Sequence, residues 1–224
     1  MTLSLDVVVP TLNAAPSLAR TLAAVGDAAT ITVCDGGSHD DTVAIARRNG
    51  ATVVTAPSGR GGQLAKGAAA GSAPWLLFLH ADSVPGAGWH EAARAFMSSP
   101  AGSREAGYFR LRFDSHDPRA RRVERLVAWR CRFLGLPYGD QGLLIARSLY
   151  DRLGGFRPLP LMEDVDLARR IGRRNLVPLE ADAITSALRY ERDGWLCRPI
   201  RNLSCLTLFL AGMPTGVITR LYDR

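Results

Sequence analysis

Trp75-Leu76-Leu77-Phe78-Leu79-His80-Ala81-Asp82 is the stretch on which the fold turns. Five consecutive apolar residues suit a strand buried on both faces, as in a parallel sheet covered by helices on each side. The run stops on a histidine and a carboxylate, and open α/β sheets collect their ligands beyond the carboxyl ends of such strands. An aspartate in that place, with the acidic pair Glu163-Asp164 far downstream, suggests a hard cation and a charged leaving group.

Working outward, the residues before this stretch alternate regularly. Strands are expected at 5–9, 31–34, 52–55 and 75–79, with helices at 15–25, 40–49 and 62–71 between them. That alternation specifies a parallel sheet with helices on both faces, and right-handed crossovers bring the strand ends to one edge. After Pro85 the rhythm changes. A helix at 90–97, a long strand at 106–113 that need not be parallel, a basic helix at 119–134, a strand at 142–146 and a helix at 165–174 follow. From Trp195 onward the chain reads as helical with a break at Pro214. No repeat or linker divides it, so 1–224 is read as one domain with a mixed sheet. Its parts are a nucleotide-binding half at 1–100, an acceptor and catalytic half at 101–195, and a helical tail at 196–224.

The composition agrees. With 224 residues, 47% hydrophobic and 22% charged, the chain is long enough for a full core and is not a disordered type. A net charge of +7 favours polyanions: nucleotide phosphates, nucleic acid or anionic lipid. The aromatic interleaving of single-strand readers is missing, which argues against nucleic acid. The arginines at 119–132 and 169–174 read as two solvated helix faces. Cys34, Cys131, Cys197 and Cys205 are scattered without paired spacing, which argues against a zinc or disulfide framework. The chain begins almost directly on a strand, with no charged leader, so a cytoplasmic location is expected. The apolar stretch 203–218 is interrupted by Gly212, Pro214 and Gly216. It is too short and broken for a membrane span and reads as a packed or interfacial helix.

Five constellations carry chemistry. Val9-Pro10-Thr11-Leu12-Asn13 ends the first strand in a polar turn. Cys34-Asp35-Gly36-Gly37-Ser38 ends the second on a carboxylate followed by a tight turn; Ser38 and Asp40 suit helix capping, which leaves Asp35 unexplained. Gly59-Arg60-Gly61-Gly62-Gln63 opens a helix with backbone N–H groups and a cation, a cradle for phosphate that lacks the ending of a P-loop. His80-Ala81-Asp82 presents two ligands flanking a small residue; Asp82 suits Mg²⁺ or Mn²⁺, and His80 is better tolerated by Mn²⁺. Glu163-Asp164-Val165-Asp166 places three carboxylates at a helix start, more than dipole compensation needs, so one is a candidate general base.

Together, and in this order, the five motifs resemble the family 2 glycosyltransferases with the GT-A fold, most closely the small stand-alone bacterial type. The resemblance implies an α/β, Rossmann-like mixed sheet, mostly parallel, with helices on both faces. It implies an inverting transfer of a sugar from a UDP- or GDP-sugar to an acceptor hydroxyl, assisted by Mg²⁺ or Mn²⁺. By it, Pro10 and Asn13 lie beside the nucleotide, Asp35 contacts the base and Arg60 lies near the diphosphate. Asp82 is the metal-binding carboxylate, with His80 in the first position of the DxD-type motif. Asp164 is the catalytic base with Glu163 beside it. Gln141, in Gly139-Asp140-Gln141-Gly142, lines the acceptor side, joined by Arg189 in a loose echo of a C-terminal basic motif. Gly36 replaces the second carboxylate of the common Asp-Asp-Gly-Ser pattern, and the Gln-x-x-Arg-Trp signature of processive synthases is absent. A catalytically degenerate nucleotide-binding relative and a nucleotidyltransferase are the competing enzyme-fold readings. For the tail and the arginine-rich helix, the alternatives are core or homodimer packing and a peripheral contact at the inner membrane face with a lipid-linked acceptor.

Overall fold

The computed structural model describes residues 3–222; positions 1–2 and 223–224, the outermost parts of the expected domain and tail, lie outside the described residues. The first half alternates as expected: β1 (Leu5–Thr11), α1 (Ala15–Val25), β2 (Thr30–Asp35), α2 (Thr42–Arg48), β3 (Thr52–Thr55), α3 (Arg60–Ala69) and β4 (Trp75–Phe78). The second half contains β5 (Ser83–Pro85), α4 (Trp89–Met97), β6 (Ala106–Phe113), α5 (Pro118–Leu134), β7 (Leu143–Ala146), α6 (Arg147–Arg152) and α7 (Glu163–Ile171). It closes with β8 (Leu176–Thr185), α8 (Leu188–Asp193), α9 (Cys197–Leu210) and α10 (Thr215–Tyr222). Four of these elements, β5, α6, β8 and α8, were not expected from the sequence. α7 also begins at Glu163, two residues earlier than its apolar periodicity predicts, because the acidic pair forms its first turn.

All eight strands form one sheet in the order β3-β2-β1-β4-β7-β6-β8-β5. β1 pairs in parallel with β2 and β4, β2 with β3, and β6 with β8, while β7 runs antiparallel to β4 and β6, and β5 antiparallel to β8. The sheet is therefore mixed and mostly parallel, and the strand 106–113 turns away from its β7 neighbour in direction.

The alternation of side chains along each strand divides the core in two. Leu5, Val7 and Val9 of β1, with Leu77 and Leu79, pack beneath α1, α2 and α4. Val8, Leu76 and Phe78 face the opposite layer, which contains α3, α5, α6, α7, α9 and α10. Helices thus cover both faces, which is why the 75–79 run is continuously apolar. Two glycines set the depth at which α3 sits. A Cβ on Gly67 would come 2.4 Å from Val8 Cγ1, and one on Gly61 would come 2.1 Å from the Arg157 carbonyl oxygen.

Chain reach imposes a further shape. β4 and β5 are separated in the sheet by β7, β6 and β8, yet only residues 79–82 connect them, and Ser83 N–H donates to the His80 carbonyl at 3.1 Å in a tight turn. Four flat inter-strand steps would span about 19 Å, whereas two extended residues and a turn reach only about 14 Å. The sheet must curl so that β8 and β5 swing back toward the end of β4. The segment containing His80 and Asp82 bridges that curl.

Candidate active site

The ends of β1 and β2 are bound together first. Gln63, on α3, donates from Nε2 to the carbonyls of Thr11 (2.7 Å) and Cys34 (2.8 Å). A Cβ at position 36 would lie 3.0 Å from that same Nε2, so the glycine replacing a carboxylate there makes room for Gln63. Asn13 takes up a left-handed conformation (φ 50°), which asparagine tolerates. It bridges the two turns, its backbone N–H donating to Ser38 Oγ and its Oδ1 accepting from His39 N–H. Pro10, Thr11, Leu12 and Asn13 then form one wall of a cleft of about 420 Å³, with Gly59, Arg60 and Asp82 across from them. That volume falls in the range of small-molecule sites, roughly 300–1,000 Å³.

Asp35 is placed differently from its expected position at the base of a nucleotide. It is buried, and its two oxygens accept from Thr11 Oγ1 (3.0 Å), Ser38 Oγ (2.5 Å), Gly37 N–H (3.0 Å) and Ser38 N–H (2.8 Å). Burial pushes its carboxyl up, but these hydrogen bonds, led by Ser38, hold it below the usual carboxylate range. It does not line the cleft. Its four partners make it the organiser of the turn that carries Ser38 to Asn13.

Beyond Arg60 the cleft continues into a smaller cavity of about 100 Å³, whose walls include Arg60, Asp82, Asp140, Asp164 and Arg189. These five residues come from five distant segments of sequence: the start of α3, the loop after β4, the turn before β7, the start of α7, and α8. Asp164 is fixed by two amides, Gly139 N–H to Oδ2 at 2.8 Å and Val165 N–H to Oδ1 at 2.7 Å. Glu163 is fully buried, 3.5 Å from Arg60 Nη1, and among the described residues neither of its oxygens has a hydrogen-bond partner. Burial and then repulsion by Asp164 push its carboxyl up to about 7, with Arg60 acting in the opposite sense. Met162, just before it, has φ 64°, a backbone strain that a non-glycine residue bears where the turn is tightly determined. Asp166, the third carboxylate, is committed to Arg157 and Arg170 and takes no part in the cavity.

His80 lies more enclosed than its place in the motif implies, and the expectation for Gln141 is corrected. His80 packs its Nε2 against Gly139, where an added Cβ would lie 2.2 Å away, and that nitrogen is sealed from solvent without a partner. Burial, then the cations of Arg60 and Arg189, hold its imidazole well below the usual 6.5, so the ring is neutral, the form in which an imidazole can bind a metal, and it shares the lining of both cleft and cavity with Asp82. Gln141 does not line the cavity. Its Nε2 donates to the Phe109 carbonyl, and its Oε1 accepts from Arg130 Nη2 (3.1 Å) and the Tyr138 amide (3.3 Å). It is an interior anchor for the turn. Arg130 likewise leaves the expected solvated face, with its guanidinium carbon 3.4 Å from the Tyr138 ring centre. Arg189 does reach the cavity wall.

The residue that the sequence reading passed over is Asp140, beside Gln141. Its Oδ1 is buried without a partner, and its carboxyl is pushed up to about 6 by burial; Arg130 opposes this, and the charges of Asp164 and Asp82 add to it. A carboxylate in a glycine-flanked turn entering a strand was the available signal. Arg198, Asn202 and Tyr222 also line the cavity, with Arg198 Nη2 donating to Tyr222 Oη at 2.7 Å. The tail sequence gave no such signal, since its apolar residues dominate the reading.

Among the described residues no three His, Cys, Asp or Glu side chains converge as a metal cage. The donor set nevertheless fits one type of ion. Mg²⁺ and Mn²⁺ are commonly held by one or two carboxylates together with substrate phosphates, not by an all-protein cage. Asp82, on the wall shared by cleft and cavity with Arg60, would offer an oxygen ligand of that kind.

The family model for glycosyl transferase family 2 matches residues 6–154. No curated protein gives a significant sequence match. Among solved structures, a mannosyltransferase from Pyrobaculum calidifontis, in complex with GDP-Man and Mn²⁺, superposes with a TM-score of 0.65 at 18% identity. The match covers 92% of this chain, which spans only 61% of that one. Glucosyl-3-phosphoglycerate synthase from Mycobacterium tuberculosis, with Mn²⁺, UDP and glucosyl-3-phosphoglycerate, gives 0.62 at 20% identity, covering 94% of this chain and 80% of its own. S. aureus TarS gives 0.61 at 17%, covering 83% and 35%. Likenesses at these identities establish the fold. The matched segment ends before Glu163, so the far wall of the cavity stands on geometry alone.

Proposed function

The chain belongs to the glycosyl transferase family 2, and from that premise we propose that it moves a sugar from a nucleoside-diphosphate sugar to an acceptor hydroxyl with inversion at the anomeric carbon. The observation that carries this reading is the shared wall, with Arg60, His80 and Asp82 on it, between a nucleotide-sized cleft and a cavity lined by Asp164. Pro10, Leu12 and Asn13 form the side of the cleft suited to the nucleoside. Arg60 opens α3, so its guanidinium and the helix's first amides both favour a diphosphate. Asp82 would hold Mg²⁺ or Mn²⁺, which when bound neutralises charge on the leaving diphosphate. Structures with GDP-Man or UDP and Mn²⁺ among those of like fold support this assignment.

Asp164 faces the cavity beyond the diphosphate wall. Its two backbone hydrogen bonds fix the carboxylate and leave a lone pair on each oxygen for the acceptor hydroxyl's proton. A single base without an enzyme nucleophile gives inversion. Asp140, with its unpaired oxygen, is placed to receive a further hydroxyl of the acceptor.

Titration calorimetry tests the donor half. UDP or GDP should bind more tightly with Mn²⁺ than with a chelator, and Asp82→Ala should remove that difference. Equal affinities in all four conditions would remove the metal role from Asp82.

A further inference from the structure

The N-terminal turns of helix α9, with Leu196 just before them, turn polar residues inward and apolar ones outward, while Cys205 and Leu206 further along anchor the helix in the core. The inward side of these turns carries Arg198 and Asn202 to the catalytic cavity, while Ile200 and Leu203, together with Leu196 at the helix cap, are each more than half exposed on the other side. Their spacing of four and three residues makes one stripe at 3.6 residues per turn. α5 bears a second stripe of the same kind. Leu126, Trp129 and Phe133 are each more than half exposed, and the Trp129 and Phe133 rings lie 5.6 Å apart. Both helices cover the same face of the sheet. Six large apolar side chains turned outward on two helices exceed the scattered exposure of ordinary surfaces.

The charges beside these stripes identify the occupant. α5 also exposes Arg122, Arg125 and Arg132, and its one carboxylate, Glu124, is buried. Alongside runs a groove of about 1,030 Å³, where Glu124 and Asp182 are engaged by Arg110, Arg112 and Arg121. Arg125, Arg132 and Arg173, which line the same groove, gain no carboxylate from that pairing. A second copy of the chain on this face would set arginine against arginine. An anionic bilayer satisfies both features: apolar side chains enter the interfacial layer and arginines meet lipid phosphates, the two signals that stable peripheral binding needs.

We infer that the α5–α9 face docks on an anionic lipid surface. Because α9 is also a wall of the cavity, docking sets that wall against the bilayer, and the acceptor hydroxyl is delivered by an amphiphile held there. This last consequence rests on the transfer reaction proposed above; the docking does not.

Vesicle flotation tests it, using phosphatidylcholine alone and phosphatidylcholine with about a third phosphatidylglycerol. The protein should float with the anionic vesicles at low salt and much less with neutral ones or at high salt. Ile200→Ser with Leu203→Ser, and separately Arg122→Glu with Arg125→Glu, should each weaken flotation by roughly tenfold or more. Melting curves and UDP binding, measured on the same samples, should stay unchanged, since none of these residues lines the cleft or cavity. No flotation at low salt, flotation indifferent to both double variants, or a dimer that the Ile200/Leu203 variant dissociates would each overturn the inference. Flotation without nucleotide binding would instead uphold docking and overturn the transferase reading.

Discussion

Asp164 and Glu163 are adjacent in sequence yet differ in chemical setting, and that difference makes separable predictions. Asp164→Asn keeps the side chain's shape and gives up one acceptor. Turnover should fall by roughly a hundredfold or more, as for loss of a general base, while calorimetry of UDP or GDP stays at the wild-type affinity; a matching loss of donor binding would reassign Asp164 to the donor side. Glu163 concerns stability. Its carboxyl is raised from the usual 4.5 to about 7, so the folded state holds its proton more tightly than the unfolded chain does. The stabilisation is complete below about 4.5 and is lost as pH rises through about 7. Melting temperature should therefore decline across that window in the wild type, and Glu163→Gln should flatten the decline; parallel curves would show that Arg60 fully offsets the buried charge. At this scale the sequence exposed carboxylates that outnumbered their structural uses, and Asp82, Asp164 and Arg60 do meet. Direction of side chains was invisible to it. Asp140 and Gln141 share one short 3-10 turn ahead of β7, and the geometry of that turn, which sequence periodicity does not display, decides which enters the cavity and which enters the core.

Helix α3 shows how an element is seated by what it lacks. Gly67 lies against Val8 and Gly62 faces open space, with nothing within 4 Å of its absent Cβ. Gly67→Ala should cost about 1–3 kcal/mol by overpacking, seen as a drop in calorimetric melting temperature. Gly62→Ala should be neutral or stabilising by up to about 1 kcal/mol through helix propensity. Equal losses at both positions would mean that helix position, not packing, sets the cost. The elements that were legible are those whose periodicity is undiluted: β1, β4, β6 and α1. β8 alternates well, with Leu179, Ala181, Ala183 and Thr185 inward, but Pro178 and two acidic residues mask it, and alanines have low strand preference. β5 is only three residues long and exists because β8 is there to pair with it.

For the molecule as a whole, the class of sheet could be read from the sequence because alternating strands and helices admit few arrangements, whereas strand order beyond β4 could not, since it depends on long-range pairings such as that of β6 with β8. The curl those pairings impose has a mechanical consequence. The His80–Asp82 segment is the shortest covalent link between the middle of the sheet and its far edge, and it is moored at its centre and just past its end: Thr21 Oγ1 donates to the Ala81 carbonyl, and Ser83 Oγ to the Asp140 carbonyl. It behaves as a taut cable between two decks. Any flexing of the edge formed by β8 and β5, which leads directly to Arg189 and the tail, must pull on Asp82, and any load placed on Asp82 must be felt at that edge. Lengthening the cable by one glycine after Ala81 should slacken it, lowering UDP affinity in Mn²⁺ by roughly tenfold, about the 1.4 kcal/mol of one misplaced ligand, with little change in melting temperature. Unaltered affinity would mean that the cable carries no tension, and that the two ends of the sheet move as strangers.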